Sequence, residues 1–251
     1  DFHLKALEKL GAKVTLKSGY ILAEAKKLKG AKITFEFPSV GATGNVVMAA
    51  ATAKGRTIIE NAAREPEIVQ LCEYLNKMGA SIEGIRTSRL IINGVESLHP
   101  ADIDVIPDRI EAGTFLIAGA LLGKIKLTDV NPKHLDTVTE KLIEVGTSIE
   151  FDSNSIIIEP SDSRLNPVDM TTAVFPGFPT DLQAQWITIM SLAKGSSIIT
   201  DTVYHDRFSH VPELNRFGAD IKVEKNVAFI RGVKELVGAP VMSTDIRASA
   251  S

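Results

Sequence analysis

Four glycines set the frame for this chain. Each follows an apolar residue and precedes a short β-prone run, at "LGAKV" (10–14), "MGASI" (78–82), "VGTSI" (145–149) and "FGADI" (217–221), and the steps between them are 68, 67 and 72 residues. A fixed period of this kind means one supersecondary unit copied along the chain, each copy burying an apolar face against its neighbours. A second run rich in Ile, Leu and Val follows every glycine, as "GYILAEA", "RLIINGV", "SIIIEP" and "VAFIRGV". The pair reads as a hairpin entered from a helix whose end is closed by a residue that tolerates positive φ.

Three hairpins share the same series of elements upstream. A strand ending at proline leads into a helix in "ITFEFPSVGATGNVVMAAATAKG", "IDVIPDRIEAGTFLIAGALLGK" and "TTAVFPGFPTDLQAQWITIMSLAKG", with Gly55, Gly123 and Gly195 expected as the helix-ending caps. Another strand and a second helix complete the series, so the unit is strand, helix, strand, helix, hairpin, with its helices read as amphipathic and its strands as alternating. Residues 1 to 25 hold only the second half of a unit, and "PVMSTDIRASAS" at 240–251 reads as the strand and first helical turn of a further one. Together with a first residue that is not Met, this predicts a fragment lacking both ends.

Composition narrows the function classes. Apolar residues make up 44% and charged residues 24%, enough core material for one large or two modest domains. The net charge of -3 is spread along the chain, so no basic stripe predicts a nucleic-acid partner. The longest apolar runs, such as "FLIAGALLG", fall short of the roughly 20 residues of a membrane span, and the expected location is cytoplasmic. One cysteine, Cys72, falls in a helical pattern and is expected in the core; no Cys/His spacing predicts a metal site, and no cofactor is expected.

Superposing the units aligns four helix starts: "PSVGATGN", "PDRIEAGT", "PTDLQAQW" and "STDIRASA". Ser39, Asp108, Thr180 and Thr244 then fall at the capping position, where a side-chain oxygen accepts from free backbone N–H groups. Asp181 and Asp245 are surplus to capping in that frame. Arg247 would lie in a first turn, where the helix dipole disfavours a cation unless an anion is near. Converging helix N-termini with a nearby cation suit a phosphorylated substrate. The loops "ENAAREPE" (60–67) and "VYHDRFSHV" (203–211) are also equivalent, pairing Arg64 with Arg207, and Asp206 is the local candidate to orient Arg207. His205 and His210 read as structural.

The motifs "PSVGAT", "ENAAREPEIV", "PDRIEAGTF", "GFPTDLQAQ", "DRFSHVPEL" and "TDIRASAS" resemble the UDP-N-acetylglucosamine 1-carboxyvinyltransferase family of enolpyruvyl transferases, from Asp1 to Ser251. The resemblance implies an α/β fold of two domains, an inside-out α/β barrel of such units with helices central. Residues 1–106 would form part of the UDP-sugar-side domain, a half unit plus a full one. Residues 107–251 would form part of the catalytic domain, two units plus the start of another. It also implies transfer of the enolpyruvyl group of phosphoenolpyruvate to the 3-hydroxyl of UDP-N-acetylglucosamine, with release of phosphate, at the first committed step of peptidoglycan synthesis.

Carried over by position, Asp181, Asp245, Arg207 and Arg247 are the implied catalytic residues. Asp181 would act as base toward the sugar hydroxyl, and the arginines would stabilise charge on phosphate or carboxylate. Asp1, Phe2, Ser39, Val40, Gly41 and Val203 are the implied substrate contacts, and Glu65, Glu67, Asp108 and Glu111 the implied lining of an interdomain cleft. The chain departs from the family in carrying Phe37 where some members have Lys. The family's early Lys-Asn pair, its mobile loop with a reactive Cys or Asp, and its final arginine have no counterpart in the sequence, so the fragment alone is expected to be inactive. Alternative readings are a non-catalytic UDP-sugar-binding fragment, or an enolpyruvyl transferase with another acceptor such as shikimate 3-phosphate.

Overall fold

The computed structural model describes residues 2–243 and 246. Asp1, Thr244, Asp245 and Arg247 therefore lie outside the described residues. The chain divides into two compact units, Asp1–Ile106 and Pro107–Ser251.

In the first unit, helix α1 (Phe2–Lys9) leads into the hairpin β1 (Lys13–Lys17) and β2 (Tyr20–Glu24). A full copy follows: β3 (Lys32–Thr34), α2 (Val40–Ala51), β4 (Arg56–Glu60), α3 (Pro66–Lys77), β5 (Ser81–Glu83) and β6 (Arg89–Asn93). Its sheet has the order β3-β4-β6-β5, with β3 parallel to β4 and the other pairs antiparallel. The second unit contains α4 (Arg109–Leu122), β7 (Ile125–Thr128), α5 (Asp136–Glu144), β8 (Ser148–Phe151) and β9 (Ser155–Glu159). The next copy is β10 (Met170–Thr172), α6 (Gln183–Met190), β11 (Ser196–Asp201), α7 (Val211–Arg216), β12 (Asp220–Glu224) and β13 (Val227–Arg231). Its sheet order, β10-β11-β13-β12 with one parallel pair, repeats that of the first unit.

The landmark glycines do what the sequence requires of them. Gly11, Gly79, Gly146 and Gly218 all take positive φ, between 93° and 103°, where the chain leaves a helix for a hairpin. Two asparagines reinforce this turn at equivalent places. Asn76 donates to the Ile82 carbonyl and accepts from the Ile82 N–H, both at 2.8 Å, and Asn215 clamps Ile221 the same way at 3.0 and 3.2 Å. Closure of each copy is also shared. Gly94 N–H donates to the Gly55 carbonyl and Gly232 N–H to the Gly195 carbonyl, each at 2.9 Å.

Each unit has its own core. In the first, Ala42, Val46, Val47 and Ala50 of α2 meet Ile33, Ile59, Ile92 and Cys72. In the second, Leu116 and Ile117 of α4 join Trp186, Ile187 and Met190 of α6 over Ile156, Ile158 and Ile199, and Trp186 meets Phe178 edge-on at 5.3 Å. α2, α4 and α6 bury residues around much of their circumference, whereas α3 and α5 bury a stripe. Only the second helix of each series has the amphipathic character read from sequence. Gly113 shows why α4 carries glycine in its interior: a Cβ there would collide with the buried Leu182 side chain.

Three local expectations are corrected. The run "IDVIP" forms no strand, because its backbone is already bonded to α3: Gln70 donates to the Asp104 carbonyl and accepts from the Ile106 N–H, while Lys77 donates to the carbonyl of Asp102 just before the run. Pro240–Ser243 likewise contains no strand. Gly55 and Gly195 lie beyond the helix ends they were expected to cap, since α2 ends at Ala51 and α6 at Met190, and of the two only Gly55 takes positive φ; a Cβ at Gly195 would stand 2.9 Å from the Pro167 ring, so that position needs space rather than unusual dihedrals.

Candidate active site

β10 and β11 run parallel with Thr172 opposite Asp201, so both strands deliver their last residue to the same end of the sheet. Asp201 is fully buried. Its Oδ1 accepts from the Val203 and Tyr204 N–H groups at 2.9 and 2.7 Å, which folds the chain into a side-chain-stabilised turn, and from Thr172 Oγ1 at 2.7 Å. Its Oδ2 accepts from Thr180 Oγ1 at 2.6 Å. That bond corrects the expected role of Thr180. Ser39 and Asp108 do cap α2 and α4, accepting from Ala42 N and from Ile110 and Glu111 N, but Thr180 opens a single 3-10 turn ahead of α6 and turns its hydroxyl away to Asp201.

The turn at 202–204 brings Arg207 back over the helix start. Its Nη1 donates to Asp181 Oδ1 and to Thr180 Oγ1, each at 3.0 Å, and its guanidinium carbon lies 4.8 Å from the centre of the Tyr204 ring. The partner is therefore Asp181, 26 positions upstream, and not the adjacent, exposed Asp206. With both Nη1 hydrogens engaged, Nε and Nη2 have no protein partner among the described residues. That leaves a guanidinium edge free for an incoming oxyanion. Val203 stands in the same turn through its N–H. Asp181, Arg207 and Val203 are thus brought together.

The first unit gathers a second group. A Cβ on Gly41 would meet the His3 ring at 3.2 Å, and His3 Nδ1 is 2.7 Å from Asn45 Nδ2, so the starts of α1 and α2 lie side by side. Phe2 is the residue before His3 at the start of α1. Phe2 also meets Phe35 edge-on at 6.1 Å and, with Lys5, Lys9 and Glu36, lines a groove of about 410 Å³. Phe37 is half-buried. Glu65 is buried at the start of α3, Glu67 is exposed in its first turn, and Asp108 and Glu111 are exposed at the start of α4. Arg109 lies over the Phe175 ring at 5.6 Å.

The family model for EPSP synthase (3-phosphoshikimate 1-carboxyvinyltransferase) matches residues 1–251. The chain belongs to this family. Among curated relatives it is 52% identical over its whole length to "UDP-N-acetylglucosamine 1-carboxyvinyltransferase" of Chlorobium chlorochromatii and 53% identical to the protein of that name from Chloroherpeton thalassium. It spans about 60% of the length of these relatives. The crystal structure of the enolpyruvyl transferase NikO from Streptomyces tendae superposes on the entire chain and 62% of its own, with a TM-score of 0.89 and 25% identity. An EPSP synthase from Acinetobacter baumannii shares the fold at a TM-score of 0.61 and 20% identity, over 92% of this chain and 56% of that one. The repeated units are those of the enolpyruvyl transferase fold.

Within the EPSP synthase family frame, the residue that sequence reasoning missed is Asp201. A signal for it exists. In "SSIITD" the buried positions alternate as Ser197, Ile199 and Asp201, and a carboxylate on the inward face of a strand must be satisfied by specific donors. Cys72 is fully buried in α3, and burial, with a smaller contribution from Glu73, pushes its thiol up to about 11, the setting of an inert core cysteine. Among the described residues, no helix is long and apolar enough to cross a membrane.

Proposed function

We propose that this chain is the larger part of a UDP-N-acetylglucosamine 1-carboxyvinyltransferase. It would transfer the enolpyruvyl group of phosphoenolpyruvate to the sugar 3-hydroxyl and release phosphate, in the cytoplasm and at the entrance to peptidoglycan synthesis, with a role in cell shape and division. The single observation that supports this most directly is the Asp181–Arg207 pair at 3.0 Å, in a chain that is 52% and 53% identical over its whole length to relatives of that name. In this reading Asp181 accepts the proton of the attacking hydroxyl. The open edge of Arg207 takes the phosphate or carboxylate oxygens whose charge grows as the tetrahedral adduct forms. Phe2, Ser39, Val40 and Gly41 hold the nucleotide end, and Val203 the sugar. Asp1, Asp245 and Arg247 keep the roles given by resemblance, and residues 1–106 and 107–251 act as the UDP-sugar-side and catalytic domains.

Calorimetry of the 251-residue chain tests the acceptor. UDP-N-acetylglucosamine is expected to give saturable heat and UDP-glucose markedly less, while heat from shikimate 3-phosphate alone would replace the acceptor. No heat from any of the three overturns the reading of a retained sugar-nucleotide site. The isolated chain, at about 60% of the relatives' length, is proposed to release no phosphate from phosphoenolpyruvate and UDP-N-acetylglucosamine. Release at the rate of a full-length relative would refute that.

A further inference from the structure

We propose that Asp201 is a positioning residue: it fixes which face of the Thr180 hydroxyl Arg207 meets, and so sets where the Asp181–Arg207 pair sits. Arginine can only donate, so the Thr180 oxygen must accept from Arg207 Nη1. The hydroxyl has one hydrogen, and it goes to Asp201 Oδ2 at 2.6 Å. The relay therefore has one direction, Arg207 to Thr180 to Asp201. The other carboxylate oxygen holds the Val203 and Tyr204 N–H groups, and the Tyr204 ring forms the second surface on which Arg207 rests. One fully buried carboxylate thus controls both supports of the guanidinium, the hydroxyl beside it and the ring beneath it.

This makes a near-isosteric change informative. In Asp201→Asn the amide oxygen must stay toward the two backbone N–H groups, which places the NH₂ against Thr180. Thr180 then accepts from the amide and its hydrogen loses the charged acceptor that oriented it, so the hydroxyl is free to rotate and its hold on Arg207 weakens although volume is conserved. Thr180→Val cuts the same link while leaving Asp201 its other three bonds, and Thr180→Ser restores it.

The readout is the set of ¹⁵N–¹H guanidinium resonances of Arg207 in the labelled chain, assigned by their loss in Arg207→Lys. Restricted, slowly exchanging Nη signals are expected in the wild type and in Thr180→Ser. In Asp201→Asn and Thr180→Val they should exchange roughly tenfold faster or average out, because a hydrogen bond to a charged group is lost, while backbone amides outside 172–207 keep their shifts. Unchanged Arg207 signals in a folded Asp201→Asn protein overturn the proposal. If that variant does not fold, unchanged signals in Thr180→Val overturn it equally. The consequence for turnover rests on the transfer reading above, but the resonances do not. Expected resonances together with no heat from UDP-N-acetylglucosamine would sink the substrate reading and leave the positioning role intact.

Discussion

Arg207 Nη1 reaches Asp181 Oδ1 at 3.0 Å across 26 residues of sequence, and both side chains remain partly open to solvent, at 18% and 34% exposure. A pair in this setting adds little to stability, of the order of 1 kcal/mol or less. Asp181→Asn should therefore shift the urea midpoint only slightly. Its effect on ligand is expected to be larger: loss of a charged acceptor for a sugar hydroxyl weakens UDP-N-acetylglucosamine by about tenfold or more. Calorimetry beside urea unfolding separates the two. A large loss of stability with unchanged affinity would make the pair structural.

The asparagine clamps predict the opposite pattern. Asn76 and Asn215 each satisfy both backbone groups of a buried strand residue, Ile82 or Ile221, through two hydrogen bonds. Alanine at either position strands a buried N–H and a carbonyl, at a cost of about 1–3 kcal/mol. The measurement is chemical unfolding of each variant, and ligand heats per folded molecule should not change. A loss of under about 0.5 kcal/mol, within the range of ordinary surface changes, would show that water replaces the clamp.

How much of this was readable in advance follows from the range of each interaction. The positive-φ glycines and the Ser39 and Asp108 caps depend on residues within three positions, and they were legible. What failed depends on distant competition. Thr180 looks like a cap until Asp201, 21 residues on, takes its hydroxyl, and "IDVIP" looks like a strand until Gln70 takes its backbone. Arg207 has an obvious neighbour in Asp206, yet meets Asp181 because the Asp201 turn redirects the chain. Spacing alone cannot rank two carboxylates when a third one folds the loop.

Gly94 and Gly232 show a constraint of space rather than of dihedral angle. Neither has positive φ, but a Cβ on Gly94 would collide with the Ala53 carbonyl, and one on Gly232 with the Ala193 carbonyl. The obstacle is backbone just past the end of α2 or α6, so no rotamer change relieves it. Alanine at either glycine is expected to cost about 3 kcal/mol or more, at the upper end of overpacking effects. Gly238→Ala, where a Cβ meets nothing within 4 Å, is the matched control and should stay near wild type. Equal thermal midpoints for Gly232→Ala and Gly238→Ala would rule the constraint out.

Cys72 gives a prediction whose sign follows from titration. Burial raises its thiol from the ordinary 9.0 to about 11, so between those values the unfolded chain gives up a proton that the folded chain keeps. Stability from this group is fully present below pH 9 and falls as pH rises to about 11, by roughly 2–3 kcal/mol in total. Lysine and tyrosine titrate in the same window, which is why the comparison must be with Cys72→Ala. The wild-type and variant urea stabilities, measured from pH 8 to 11, should converge as pH rises, since only the wild type has a buried thiol to ionise. Parallel curves would mean that the folded thiol ionises as readily as the unfolded one. Iodoacetamide checks the burial itself: the thiol is expected to react only on unfolding, and labelling of the native chain at pH 8 as fast as that of the urea-unfolded chain would show that it is accessible.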